Sequence, residues 1–305
     1  MIVGVVGTGY WGKKVISEYI NLKKEDIIEE LLVFDKNIDA IPKSEHFKIR
    51  TSMESIIKDS NAIHICSPNS SHYEIARAAI NSGKHVLIEK PMTINYRESK
   101  ELVLLAKDKG VVLRVGHIFR FSNNINKLRS LISLGILGQI QYSLFTWGHL
   151  FPSYSTNEAG VLWDILPHPL DILLYITNES PKVVEEVTVP NENKSSKKFS
   201  MIKAMFNSDH ISYIFVSGIH APKTRKIEII GKNGALYTEA LSNKIVFESL
   251  SNNNEKKVYY VKNNNTILDE IGEFINDSKN YIENSRNSGR VGSEVVAMLE
   301  RVANQ

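Results

Sequence analysis

The chain has 305 residues, 42% hydrophobic and 23% charged, with a formal net charge of +3. That balance excludes wholesale disorder and leaves material for one large core or two ordinary ones. Acids are interspersed among the lysines, as in Lys23-Lys24-Glu25-Asp26, which argues against a nucleic-acid binder with its concentrated basic face. The one cysteine, Cys66, has no internal disulfide partner and no zinc-type spacing around it, which points to a reducing cytoplasm and to no metal site. No apolar run approaches the roughly 18 residues needed to span a bilayer, and Met1–Gly7 lacks the charged lead of a signal peptide.

In chain order, Ile2–Val6, Leu31–Phe34, Ala62–Cys66, His85–Glu89 and Val111–Gly116 read as buried strands. Between them, Lys13–Asn21, Met53–Asp59, Ser71–Ser82 and Tyr96–Lys109 read as helices. Strands that are apolar throughout and alternate with helices predict a parallel sheet covered on both faces. From about residue 119 the pattern changes. A helix over Asn123–Leu134 precedes a strand over Gln139–Leu150. Strand-like runs follow at Val183–Val189, Ser200–Phe206, Ile211–Val216, Lys226–Ile230, Ile245–Glu248 and Lys257–Val261, separated by polar turns. Thr266–Asn284 and Gly292–Ala303 read as closing helices. The expected organisation is an α/β Rossmann domain over residues 1–118, then an α+β domain with a mainly antiparallel open sheet over 119–305.

Gly7-Thr8-Gly9-Tyr10-Trp11-Gly12 is a G-x-G-x-x-G run between a strand and a helix, and Asp35 closes the next strand. In that setting the run is a dinucleotide fingerprint. Gly7 permits the tight turn, Gly9 lets backbone approach a pyrophosphate, and Gly12 allows close helix–strand packing. The helix N-terminus offers N–H donors and partial positive charge to phosphates. Asp35 is expected to accept from the ribose 2′-hydroxyl and to repel a 2′-phosphate, favouring NAD. Lys36 would soften that repulsion, which leaves NADP open.

Three further segments follow in order. They are Cys66-Ser67-Pro68-Asn69 with His72, Glu89-Lys90-Pro91, and Asp164-Ile165-Leu166-Pro167-His168 with Asp171. Together with the glycine loop, this set resembles the Gfo/Idh/MocA oxidoreductases, and the resemblance runs to Lys226–Gly231 and the last helices. It implies a Rossmann domain, an open sheet that often mediates dimers or tetramers, and an active site between the domains. It places Lys90 between nicotinamide and substrate, Glu89 near the nicotinamide, and Ser67 and Asn69 near the ribose or nicotinamide. It also implies a cis peptide before Pro91 in relatives. His72 is either a cofactor contact or a residue bonded to nearby backbone.

His168 is the candidate general acid/base, because oxidising an alcohol requires removal of the hydroxyl proton and histidine titrates near neutrality. Asp164 and Asp171 lie four residues before and three after it, spacings that share a helical face. Either would orient the ring or hold a substrate hydroxyl. Pro167 and Pro169 weaken that spacing by breaking a helix interior. The bland alternatives are a histidine at a helix start and, for Lys90, an ordinary lysine at a strand end.

Val161–His168 looks most like members acting on nucleotide sugars, such as UDP-N-acetylhexosamine or hexosaminuronate 3-dehydrogenases. Arg120, Lys127, Arg129 and His149 are the cations available for a diphosphate, and Trp147, His149 and Tyr154 are candidates for stacking on a sugar, with core packing an equal or better reading for Trp147. The expected activity is hydride transfer between nicotinamide and a secondary alcohol of a sugar or nucleotide sugar. The competing readings are a free-sugar or cyclitol dehydrogenase and a non-catalytic dinucleotide-binding regulator.

Overall fold

The computed structural model describes residues 1–150, 160–187, 198–250, 255–283 and 286–304. The expected sugar-stacking Tyr154 and the end of the strand expected over Val183–Val189 lie outside the described residues. The chain divides into two compact units. The first comprises Met1–Ile118 with Thr266–Ala297, and the second Phe119–Asn265 with Met298–Gln305. Among the described residues, no helix is long and apolar enough to cross a membrane.

The first unit is built from β1 (Ile2–Val6), α1 (Tyr10–Lys24), β2 (Glu30–Phe34), β3 (Lys48–Ile49), α2 (Met53–Asp59), β4 (Ala62–Ile65), α3 (His72–Asn81), β5 (His85–Ile88), α4 (Tyr96–Lys109) and β6 (Leu113–Val115). The strands form one parallel sheet in the order β3-β2-β1-β4-β5-β6. β4 and β5 are buried at every position, as strands covered on both faces must be. Local chemistry sets the helix ends. Ser52 and Ser55 form a reciprocal cap on α2, and Asn95 accepts the Glu98 N–H at 2.9 Å to start α4. α4 stops at Gly110, whose φ of +63° suits glycine. One core packs Ile56, Ile75, Ala76, Ala79 and Leu102 against the sheet. The other packs Val15, Ile16 and Tyr19 together with Ile271, Phe274 and Ile275.

That second core accounts for a difference from the reading of 119–305 as one domain: the units also divide between residues 118 and 119, but Thr266–Ala297 belong to the first. The closing helices, apolar on one face, look the same wherever they pack. The structure lays the first of them, which follows residue 265, against α1. An internal ion pair holds it there: Arg114 on β6 donates to Asp277 at 2.8 and 3.0 Å, and both side chains are buried. β3 also departs from the sequence reading. It is two residues long, too short to show periodicity.

The second unit contains α5 (Asn123–Ser133), β7 (Ile140–Leu150), α6 (Gly160–Asp164), α7 (Pro167–Thr177), β8 (Val183–Glu186), β9 (Phe199–Met205), β10 (Ile211–Ser217), β11 (Ile219–Gly231), β12 (Gly234–Glu239), β13 (Lys244–Ser249) and β14 (Lys256–Tyr260). The last helices are α8 (Thr266–Asn280) and α9 (Gly289–Ala303). The sheet order is β14-β13-β12-β11-β7-β10-β9-β8. Every pairing is antiparallel except β7 with β10. One face buries Phe145, Trp147, Ile202, Ile214, Val216, Ile227 and Ile229. The other leaves Tyr142, Phe199 and Met201 exposed. α5 packs on α7, and α6 meets β9 and β10. β12 was missed in the sequence because Gly231 and Gly234 bracket a turn of only two residues between it and β11.

Candidate active site

The glycine loop follows β1, and the three glycines have different physical reasons to be there. Gly7 sits at φ +100°, and a Cβ on it would meet the Cys66 carbonyl oxygen at 2.6 Å. A Cβ on Gly12 would lie 2.1 Å from the Gly7 carbonyl oxygen. Gly9 is the opposite case: a Cβ there would meet nothing within 4 Å. The space above its backbone is open at the N-terminus of α1, a helix with no side-chain cap. That is the cradle a pyrophosphate requires, and a side chain would fill it.

Asp35 lies at the end of β2 and closes this loop. One carboxylate oxygen accepts from the Thr8 backbone N–H at 2.7 Å and its hydroxyl at 2.8 Å. The other accepts the Asn37 N–H at 2.9 Å. A carboxylate has about four acceptor positions, so capacity remains for a ribose hydroxyl. Lys36 is exposed next to it, and Tyr10 is exposed with the Lys14 ammonium 4.4 Å from its ring centre. These residues fit a dinucleotide.

The loops after β4 and β5 are tied together. Ser67 shares a 2.7 Å hydrogen bond with Ser71 beside Asn69, which opens the turn leading to α3. His72 is buried, with Nε2 2.9 Å from the Ser67 carbonyl and Nδ1 2.9 Å from the Pro91 carbonyl. Burial lowers its pKa, and both ring nitrogens are directed at backbone carbonyl oxygens. Of its two readings, the backbone-bonded one describes the observed contacts. The Lys90–Pro91 peptide is cis, and Lys90 is half-buried beside it.

Glu89 is buried at the centre of this arrangement. The Trp11 indole N–H donates to it, and His64 Nε2 lies 3.4 Å away. A Cβ on Gly116 would strike its carboxylate at 2.6 Å, so Gly116 is bare to make room for it. His64 was not singled out in the sequence, although a histidine inside the apolar run Ala62-Ile63-His64-Ile65 was the available signal. His64, Cys66 and Glu89 each bring a potential metal-ligating atom within 4.8 Å of the others, a grouping that linear spacing does not reveal. Burial pushes the Cys66 thiol well above its usual range, which makes it a poor nucleophile.

In the second unit the Asp164–His168 spacing does not translate into a shared helical face. α6 ends at Asp164 and α7 begins at Pro167. The prolines decide this: Pro167 takes the first helical position and Pro169 the third, where no intrahelical N–H is needed. His168 is therefore held in the first turn of α7. Its ring stands edge-on to Phe119 (centroids 5.2 Å apart) and 6.4 Å from Trp147. Asp171 is buried and accepts from Arg120 at 2.7 Å. Of the cations expected to be available for a diphosphate, Arg120 is committed to that pair and to the Tyr175 ring. Arg129 lies 4.3 Å from the same ring and Lys127 5.5 Å from that of Tyr259.

A parallel sheet, a glycine loop at a helix N-terminus and an acid at the end of the second strand define a dinucleotide-binding Rossmann domain, here followed by a mostly antiparallel open sheet. Residues 1–117 match the oxidoreductase family with NAD-binding Rossmann fold, and residues 125–237 match the GFO/IDH/MocA C-terminal domain. The chain belongs to the Gfo/Idh/MocA family. It is 30% identical over 194 residues to UDP-N-acetylglucosamine 3-dehydrogenase of Acidithiobacillus ferrooxidans, covering 62% of this chain and 58% of that one. It is 26% identical over 200 residues to the NADP-dependent scyllo-inositol 2-dehydrogenase of Bacillus subtilis, covering 63% and 56%. The matches span about half the length of these curated relatives. The fold is shared with the solved Acidithiobacillus enzyme (TM-score 0.86, 24% identity, 99% and 96% covered). It is also shared with levoglucosan dehydrogenase in complex with NADH and levoglucosan (TM-score 0.86, 19% identity, 100% and 96% covered).

Proposed function

We propose that this chain is an NAD(P)-dependent dehydrogenase, with NAD favoured by Asp35, that transfers hydride between nicotinamide and a secondary alcohol of a sugar or nucleotide sugar, with C3 of a UDP-N-acetylhexosamine as the specific candidate. The observation that carries it is the presence in one chain of two features: an open glycine loop closed by Asp35, and a half-buried histidine set against Phe119 and Trp147. The named activities of the relatives above support the substrate class.

Gly7, Thr8, Gly9, Tyr10, Trp11 and Gly12 would hold the pyrophosphate, and Asp35 the adenosine ribose, with Lys36 beside it. Ser67, Asn69 and Glu89 would border the rest of the cofactor, and His72 would fix the Ser67 and Pro91 carbonyls. When bound, nicotinamide supplies the hydride acceptor. Lys90 would donate to the reacting oxygen and stabilise the charge that develops as its proton leaves. His168 would accept that proton at a ring nitrogen, and Asp164 would hold a substrate hydroxyl. The exposed sheet face around Tyr142, Phe199 and Met201 supports a homodimer or homotetramer, and the single cysteine supports a cytoplasmic setting.

The test is formation of reduced nicotinamide with NAD and a panel of nucleotide sugars, free sugars and cyclitols, comparing wild type with His168→Ala. Turnover that falls about 10²–10⁴-fold in the variant is the expected result. A folded, NAD-binding wild type with no turnover on any member overturns the proposal. Unimpaired turnover in His168→Ala removes the histidine from proton transfer.

A further inference from the structure

β7 and β11 pair antiparallel with Trp147 opposite Arg225, so the two side chains stand on the same face of the sheet. This is the face that buries Phe145, Ile227 and Ile229. The alternation along β11 thus places a guanidinium on the face that the apolar Ile227 and Ile229 continue. Its centre lies 5.4 Å from the Phe119 ring and 5.7 Å from the Trp147 ring, and both rings also contact His168.

The fully buried arginines among the described residues have internal acids: Arg114 has Asp277 and Arg120 has Asp171. Arg225 does not. Glu239 accepts its backbone N–H at 2.9 Å, but alternation along β12 puts that carboxylate on the opposite face. Among the described residues no oxygen accepts from its guanidinium. Burial lowers its pKa even against the attraction of Glu239. A partly desolvated cation of five fixed donors, set beside aromatic rings and with no acceptor among the described residues, is arranged for an oxyanion that arrives from outside.

We propose that Arg225 is the anion-recognition residue of the substrate site, receiving the carboxylate or phosphate oxygens of an acidic sugar derivative beside His168. This rests on the dehydrogenase reading for the statement that the bound molecule is the substrate. The sequence reading passed over Arg225 because it sits in an ordinary Lys-Thr-Arg-Lys run on a strand, and only the register opposite Trp147 distinguishes it.

The experiment is isothermal titration of the full chain, saturated with NADH so that the glycine loop is occupied, with UDP and separately with D-glucuronate. Wild type, Arg225→Met and Arg225→Lys are compared, with NADH affinity and thermal midpoint confirming that the variants fold. The expected result is that one probe binds wild type and weakens about 10- to 100-fold in Arg225→Met, with partial recovery in Arg225→Lys. Loss of UDP binding assigns phosphate, and loss of glucuronate binding assigns carboxylate. If neither probe binds wild type, or if Arg225→Met leaves both affinities unchanged, the anion site is refuted. Wild-type turnover on neutral sugars alone, with neither probe bound, sinks the anion site and spares the dehydrogenase reading. Probe binding lost in Arg225→Met, with no turnover on any sugar, supports the anion site and sinks the dehydrogenase reading.

Discussion

Replacing Gly9 by alanine separates cofactor binding from folding, because the structure predicts opposite consequences at neighbouring glycines. A Cβ at Gly9 meets no atom within 4 Å, and its φ of −62° is one that alanine adopts freely. The loss of a helix N-cap glycine disfavours the folded state by up to about 1 kcal/mol. Reduced freedom of the unfolded chain offsets this by about 0.4–1 kcal/mol. Stability should therefore stay within about 1 kcal/mol of wild type. The methyl group would nonetheless occupy the space a pyrophosphate needs. Losing one charge-assisted hydrogen bond of about 1.5–3 kcal/mol weakens NAD binding about 10- to 100-fold. Gly12→Ala should behave differently. Its Cβ lies 2.1 Å from the Gly7 carbonyl oxygen, a backbone atom that cannot step aside, so α1 must move and both stability and binding should fall. Urea unfolding with NAD titration by fluorescence measures both quantities. A Gly9→Ala protein that binds NAD like wild type would refute the assignment of this loop to the pyrophosphate.

Asp35→Ser removes the acceptor of two Thr8 hydrogen bonds together with its negative charge. The ratio of NADP to NAD affinity should rise about 10- to 100-fold, and an unchanged ratio in paired titrations would count against Asp35 as the selector. Arg114→Leu leaves the Asp277 carboxylate buried without its cation and should destabilise by about 3–5 kcal/mol. Adding Asp277→Leu should recover most of the loss, and a double variant as unstable as the single would refute the pairing argument. His210 stacks on Phe206 with its Nε2 3.0 Å from the Ser143 hydroxyl, and burial lowers its pKa from 6.5 to about 4. The unfolded chain therefore takes up this proton first. Stability should be constant in this respect above pH 6.5 and should decline as pH falls from 6.5 towards 4. His210→Gln should flatten that slope in urea midpoints measured from pH 4 to pH 8, and an unaltered slope would assign it to other groups.

The Rossmann half was legible because its signals are local. Parallel strands buried on both faces are largely apolar, and the glycine loop needs its residue types at fixed offsets between strand and helix. Lys90 and Pro91 stood out for a similar reason, as a short motif at a strand end. The reading faltered where an element's partners are distant in sequence. An amphipathic helix such as α8 shows an apolar face but not which core receives it. Its place beside α1 depends on Ile271, Phe274 and Ile275 meeting residues about 250 positions earlier, and on Arg114 finding Asp277. The Asp164–His168 spacing misled because periodicity assumes an unbroken helix, and the prolines around His168 end that assumption.

The sequence by itself determined the class of fold and the dinucleotide fingerprint, because both are written in contiguous residues: which positions tolerate no side chain, and which runs are apolar enough to be covered on both faces. The tertiary structure alone decided how the charges are used. Arg120 and Arg114 are neutralised by acids 51 and 163 residues away, whereas Arg225 faces the rings of Phe119 and Trp147. A charge's availability depends on what surrounds it in space, and strand register and helix packing set those surroundings.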